Sequence, residues 1–380
     1  MSHPTQFPFL STSFELEKMK SLGFTLSYWC IALFLSLPFL GTAQAKKGSP
    51  PSTRPFLQEK SFIQINGQEQ WVTLQGNPSK PVLLFLHGGP GSPLSPYADQ
   101  MYGAWAKDFL LVQWDQRGSG KTFGRIAPSE ISPEFLKANP LTLEQMTSDG
   151  IALAEYLIQR LGKTKVILLG TSWGSVLGME MALKRPDLFH AYVGHSQVVN
   201  ASQNFTAAYQ KVLQLAQQAD DQPSLTLLRS LGAPPYTAAK SYGQMLRVVK
   251  KYERERSLPA PSAWMVLSPE YDKEPENQHR ADGDDYSFVH FTGDERLGVP
   301  AMASGINYLR DGFELKVPAF YLQGEEDILT PPELTTAFFQ KLKAPQKSLV
   351  LLPQTAHGFN QQVLDAQLKI LQEKVLPLLQ

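Results

Sequence analysis

From about residue 70 the hydrophobic positions alternate between two rhythms. Short apolar runs bounded by turn residues fall at Gln70–Leu74, Val82–Leu86, Leu110–Trp114, Val166–Leu169, Tyr192–Val193, Ala319–Leu322 and Leu349–Leu352, and read as strands. Helical spacing appears between them. Met146, Ile151, Leu153, Ala154, Leu157, Ile158 and Leu161 mark one helix, opened by a Thr142–Gln145 capping pattern and stopped by Gly162. Another follows Ser172 and runs to about Lys184, ahead of Pro186. Strands alternating with helices predict an α/β fold, a mostly parallel central sheet with helices on both faces.

The rhythm changes between Asn200 and roughly Lys316. Helical stretches at Ala207–Gln218 and Ala238–Arg254 are separated by Pro-rich and acidic segments, notably Glu270 to Asp285, and strand signals fade. We expect an inserted helical cap over 200–315, dividing a core into parts 46–199 and 316–380. A length of 380 residues suits two domains or one large domain carrying such an insertion. The acidic cap residues Glu270, Asp272, Glu274, Asp282, Asp284, Asp285, Asp294 and Glu295 read as a solvated face.

Charge narrows the function classes. Basic and acidic side chains number 35 each, so nothing drives binding to nucleic acid, and 42% hydrophobic residues exclude a disordered or fibrous chain. The single cysteine, Cys30, excludes an intramolecular disulfide and a cysteine-based zinc site. His87, His195, His279 and His290 lack metal-ligand spacing, and the glycines after Leu86 lack a dinucleotide-binding pattern, so we expect no metal and no organic cofactor.

The N-terminus has the order of an export signal. No charge interrupts Ser21 to Ala45, the run Tyr28 to Leu40 is almost wholly apolar, Lys18 and Lys20 precede it, and Ala43-Gln44-Ala45 offers a small-x-small cleavage site. Residues 1–45 are therefore expected to be a signal peptide, with translation starting at Met19, and the mature protein to be periplasmic or secreted. An uncleaved membrane anchor is the alternative. Residues 46–55 read as a lead-in.

The strongest chemical signal is Gly170-Thr171-Ser172-Trp173-Gly174, which closes an apolar strand and opens a helix. That context makes Ser172 the candidate nucleophile on a tight turn, with the Trp173 N–H at the helix start aimed at a developing oxyanion. A serine hydroxyl needs a base. His357, in the loop after the last strand, is the histidine that a strand end delivers to the same sheet edge. The third group, which orients the imidazole, is sought after Ala319–Leu322, where Asp327 leads and Glu325 and Glu326 are rivals. His87-Gly88-Gly89-Pro90-Gly91 lets backbone approach a substrate closely. The Gly89 N–H is its candidate oxyanion donor, and His87 reads as a structural loop residue.

Together with Asp115-Gln116-Arg117-Gly118-Ser119-Gly120, Gly324–Asp327 with Pro331-Pro332, and Ala356-His357-Gly358-Phe359, these motifs resemble the proline iminopeptidase family of α/β-hydrolases over roughly 60–200 and 315–380. The resemblance implies an α/β-hydrolase fold, a triad of Ser172, Asp327 and His357, an oxyanion hole of Gly89 and Trp173, and action on a short peptide with a free amino end. It also implies a brace at 115–120, with Arg117 pairing to a carboxylate. The cap departs from the family. A cap glutamate that holds the substrate amine precedes a Tyr-Gln pair in family members, whereas Tyr209-Gln210 here follows the neutral Gln203-Asn204. An esterase acting on small acyl esters and a non-catalytic ligand-binding scaffold are the other readings.

Overall fold

The computed structural model describes residues 56–310 and 314–379. The signal-peptide reading of 1–45 and the lead-in at 46–55 lie outside them. Eight strands form one sheet: β1 (Leu57–Ile65), β2 (Gln68–Gly76), β3 (Val82–Leu86), β4 (Leu110–Trp114), β5 (Val166–Thr171), β6 (Phe189–His195), β7 (Ala319–Gly324) and β8 (Lys347–Leu352). Their spatial order is β1-β2-β4-β3-β5-β6-β7-β8, antiparallel at β1–β2 and β2–β4 and parallel elsewhere. The helices are α1 (Ala98–Tyr102), α2 (Gly120–Gly124), α3 (Pro133–Ala138), α4 (Leu143–Leu161), α5 (Trp173–Lys184), α6 (Ala201–Gln218), α7 (Gln222–Leu231), α8 (Ala239–Arg256), α9 (Glu276–Thr292), α10 (Pro332–Lys341) and α11 (Gln361–Ile370).

The central strands are apolar throughout because helices cover both faces. Leu84, Val112 and Leu168 face one layer with Leu153 of α4 and Val176 of α5, while Phe85, Leu111, Ile167 and Leu169 face another with Tyr102 of α1 and Val363 of α11. Helix α4 begins and ends where its caps demand. Thr142 Oγ1 accepts from the Gln145 N–H at 3.2 Å, and Gly162 takes the left-handed conformation with φ 63°.

Two features differ from the sequence expectation. β1 is an added strand, joined to β2 by Asn66-Gly67 with φ 43° and 81°, the positive pair that a two-residue hairpin turn needs. Between β6 and β7 the chain runs through α6, α7, α8 and α9, and α9 occupies much of the acidic stretch read as irregular. Its covered face is mostly Gly283, Asp284, Ser287, His290 and Thr292, so no apolar stripe announced it.

Candidate active site

β5 ends at Thr171 and α5 begins at Trp173, which leaves Ser172 alone to turn the chain. It does so at φ 54°, ψ −119°, a conformation costing a side-chain-bearing residue about 1–3 kcal/mol. Neighbouring glycines make the turn possible. A Cβ on Gly170 would lie 2.2 Å from the Gly174 carbonyl oxygen, and one on Gly174 only 1.9 Å from that of Leu86. The strained residue is anchored on both sides: its N–H donates to the His195 carbonyl at 3.0 Å, and its carbonyl accepts from the Ser175 N–H at 2.8 Å.

The loops after β7 and β8 bring the remaining groups to this turn. Ser172 Oγ lies 2.8 Å from His357 Nε2, and His357 Nδ1 lies 3.1 Å from each Asp327 carboxylate oxygen. The Asp327 carboxylate also accepts from Thr330 N–H at 2.7 Å, Thr330 Oγ1 at 2.6 Å and Gln323 Nε2 at 3.0 Å. Burial alone would raise the Asp327 pKa, but the His357 charge and these hydrogen bonds hold it below the ordinary value. Burial likewise opposes a charged His357, yet Asp327 outweighs it and the imidazole pKa rises. The rival carboxylates take no part: Glu325 is exposed and Glu326 pairs with Arg256 at 2.5 Å.

The loop of Gly89 leaves β3, whose Leu86 pairs with Gly170 of β5, so it runs beside the Ser172 turn. Gly89 has φ 109°, and a Cβ there would meet Gly91 N at 2.3 Å. The Trp173 N–H is the first of α5 and has no acceptor within the helix. His87 is a loop brace: Nδ1 donates to the Gly88 carbonyl at 2.8 Å, Nε2 accepts from the Gln116 N–H at 3.2 Å, and burial lowers its pKa to about 4. Gln116 in turn accepts from the Trp173 indole at 2.9 Å. Arg117 grips buried Asp149 through Nε at 2.6 Å and Nη2 at 3.2 Å.

The inserted helices reach this edge. Gly91 has no Cβ, and one there would lie 2.5 Å from the Asp284 Cα of α9. Ser92 Oγ donates to Asp284 at 2.5 Å, and Ser287 Oγ donates to the Gly118 carbonyl at 2.7 Å. The acidic run is therefore not wholly a solvated face. Asp284 is buried against the Gly89 loop, and Asp294 is buried while accepting from the N–H groups of Arg296, Leu297 and Ala239. Asn204 Oδ1 accepts from the Val199 and Asn200 N–H groups while its buried Nδ2 has no protein partner, and Gln203 is exposed. Of the other histidines, His195 and His290 are buried, His190 is partly buried, and His279 packs on Gly124.

The sequence did not single out Thr330 and Gln323, which donate to Asp327, or one buried charge beside them. Glu253 of α8 is buried, and its carboxylate accepts from the Ile328 N–H at 2.8 Å and the Leu329 N–H at 3.2 Å, next to Asp327. It stands in the charged run Lys250–Arg256, which reads as solvated. The available signal was its spacing, four after Val249 and seven after Leu246, on the buried stripe of α8. Among the described residues no cluster of His, Cys, Asp and Glu suits a metal ion, and no helix is long and apolar enough to cross a membrane.

Residues 81–360 match the family described as alpha/beta hydrolase fold. The chain belongs to that family, as a proline iminopeptidase-like α/β hydrolase. A relative from Bacillus subtilis (strain 168), named Probable aminopeptidase YbaC, is 30% identical over 303 residues, covering 78% of this hydrolase and 89% of the relative. The proline iminopeptidase of Neisseria meningitidis serogroup B is 31% identical over 133 residues, 35% of this chain and 36% of that one. The crystal structure of a proline iminopeptidase from Mycobacterium smegmatis superposes with a TM-score of 0.57 at 17% identity, over 84% of the hydrolase and 99% of that chain, a likeness of fold alone.

Proposed function

We propose that this α/β hydrolase is an exported serine hydrolase that releases an N-terminal residue from short peptides, as an aminopeptidase of proline iminopeptidase type. The observation that carries the chemistry is the contact of 2.8 Å between Ser172 Oγ and His357 Nε2, on a turn strained enough to hold the hydroxyl at the sheet edge. Ser172 Oγ attacks the acyl carbonyl as His357 Nε2 takes its proton. Asp327, held ionised, stabilises the imidazolium through Nδ1. The tetrahedral oxyanion takes hydrogen bonds from the N–H groups of Gly89 and Trp173. Collapse breaks the bond to the leaving amine, which receives the proton from Nε2. Water, deprotonated by His357, then resolves the acyl-enzyme and regenerates the Ser172 hydroxyl.

The substrate class draws on the named relatives, and the helical insertion between β6 and β7 acts as the cap over the site. Incubation with a fluorophosphonate probe should label the wild-type protein and leave Ser172→Ala unlabelled. No labelling of folded wild-type protein would instead indicate a binding scaffold. Proline amide derivatives set against short acyl esters separate peptidase from esterase: turnover of esters alone removes the peptidase reading. Export is tested by N-terminal sequencing of the mature protein, which should begin at Lys46. A retained apolar segment in the membrane fraction would indicate an anchor.

A further inference from the structure

The last turn of α8 and the residues after it touch both loops that carry the Ser172 partners. Glu253 accepts from the Ile328 and Leu329 N–H groups, and Arg256 Nε donates to Glu326 at 2.6 Å, so the Asp327 loop is held on both sides of Asp327. On the His357 loop, Ser257 Oγ accepts from the Ala356 N–H at 3.3 Å, and the Leu258 N–H donates to the Gln354 carbonyl at 2.9 Å. Beside these contacts lies a cavity of about 320 Å³ lined in part by Gln210, Lys211, Arg256, Asp327 and Pro331. The junction between α8 and the Asp327 loop therefore borders open space.

We infer that Glu253 is a positioning residue for the Asp327–His357 pair, acting through the amides of Ile328 and Leu329 and through its negative charge near the imidazole. The inference rests on the proposed roles of Asp327 and His357. A carboxylate accepting two backbone N–H groups directly after Asp327 limits how far that loop can shift, and catalysis is sensitive to displacements near 1 Å. The charge acts in the same direction as Asp327, adding to the field that favours a protonated His357. The groups bearing on Glu253 are Asp327 and His357 from the β7 and β8 loops and Lys250 on its own helix, while Asp284 of α9 and Arg254 act on Lys250. Burial and the neighbouring Asp327 raise the Glu253 pKa to about 7, so its charge is present above that pH and fades below it.

The test uses the full chain with the fluorophosphonate probe, which carries no amine, across pH 5–9. Glu253→Gln keeps an oxygen to accept the two N–H groups but loses the charge. Its labelling should stay near the wild-type maximum, while the acid limb moves to lower pH. Glu253→Ala also loses the acceptor and should label about 10- to 100-fold more slowly at every pH. A purely structural residue would alter unfolding without moving the acid limb. An amine-anchoring residue would change KM for amine-bearing substrates and leave probe labelling alone. Either outcome, or a Glu253→Gln profile that overlays wild type, overturns the inference. Wild-type protein that never labels defeats the serine hydrolase reading instead.

Discussion

Gly174→Ala sets the geometry of the Ser172 turn against a single methyl group. The new Cβ would fall 1.9 Å from the Leu86 carbonyl oxygen, 2.5 Å from the Leu86 carbonyl carbon and 2.8 Å from the His87 carbonyl oxygen. All three are backbone atoms at the end of β3, so no side chain can swing aside. Restoring a contact of roughly 3.5 Å requires α5 and the end of β3 to separate by about 1.6 Å. That movement carries the Trp173 N–H and Ser172 away from the Gly89 loop. A misplacement of about 1 Å is worth up to about 10²-fold in rate, and overpacking of this kind costs about 1–3 kcal/mol in stability. Folded Gly174→Ala, verified by circular dichroism, should therefore react with the fluorophosphonate about 10²-fold more slowly than wild type. Gly305→Ala is the control, because a Cβ there meets nothing within 4 Å. Wild-type labelling by Gly174→Ala would falsify the claim that this contact sets the site.

Asp327→Asn should lower labelling by about 10⁴-fold with the fold retained, and should move the acid limb to lower pH because the anion that raises the His357 pKa is gone. Arg117→Ala leaves the buried Asp149 without its cation, although Asn66 and Gln70 still donate to it; urea unfolding should show a loss of about 3 kcal/mol. Arg117→Lys should be intermediate, since it cannot form the two-pronged contact. His195 is buried with both ring nitrogens lacking a protein partner, and burial lowers its pKa to about 3. Below about pH 6.5 the unfolded chain gains a proton that folded His195 refuses, which removes about 1.4 kcal/mol of stability per pH unit. His195→Phe should escape this loss, so its advantage over wild type in unfolding free energy should widen by about 2 kcal/mol between pH 7 and pH 5. A pH-independent difference would exclude that account.

Local chemistry made part of the molecule legible in the sequence. The glycines around Ser172 allow the turn, the apolar runs of β3, β4 and β5 announce buried strands, and Thr142 and Gly162 bound α4, because each effect is settled within a few residues. The Asn66-Gly67 pair also carried its hairpin in plain sequence, though without an apolar alternation strong enough to reveal β1. What depended on tertiary structure was pairing at long range. Asp327 led over Glu325 and Glu326 in the sequence, but which carboxylate meets His357 depends on the direction of the loop after β7, and α9 packs its polar face where Gly91 and Gly118 leave room. Glu253 joined the site from 74 positions away, where burial and two loop amides, rather than its charged neighbours in sequence, decide its environment. A turn is a property of adjacent backbone torsions, whereas the state of a buried charge depends on everything that displaces its water.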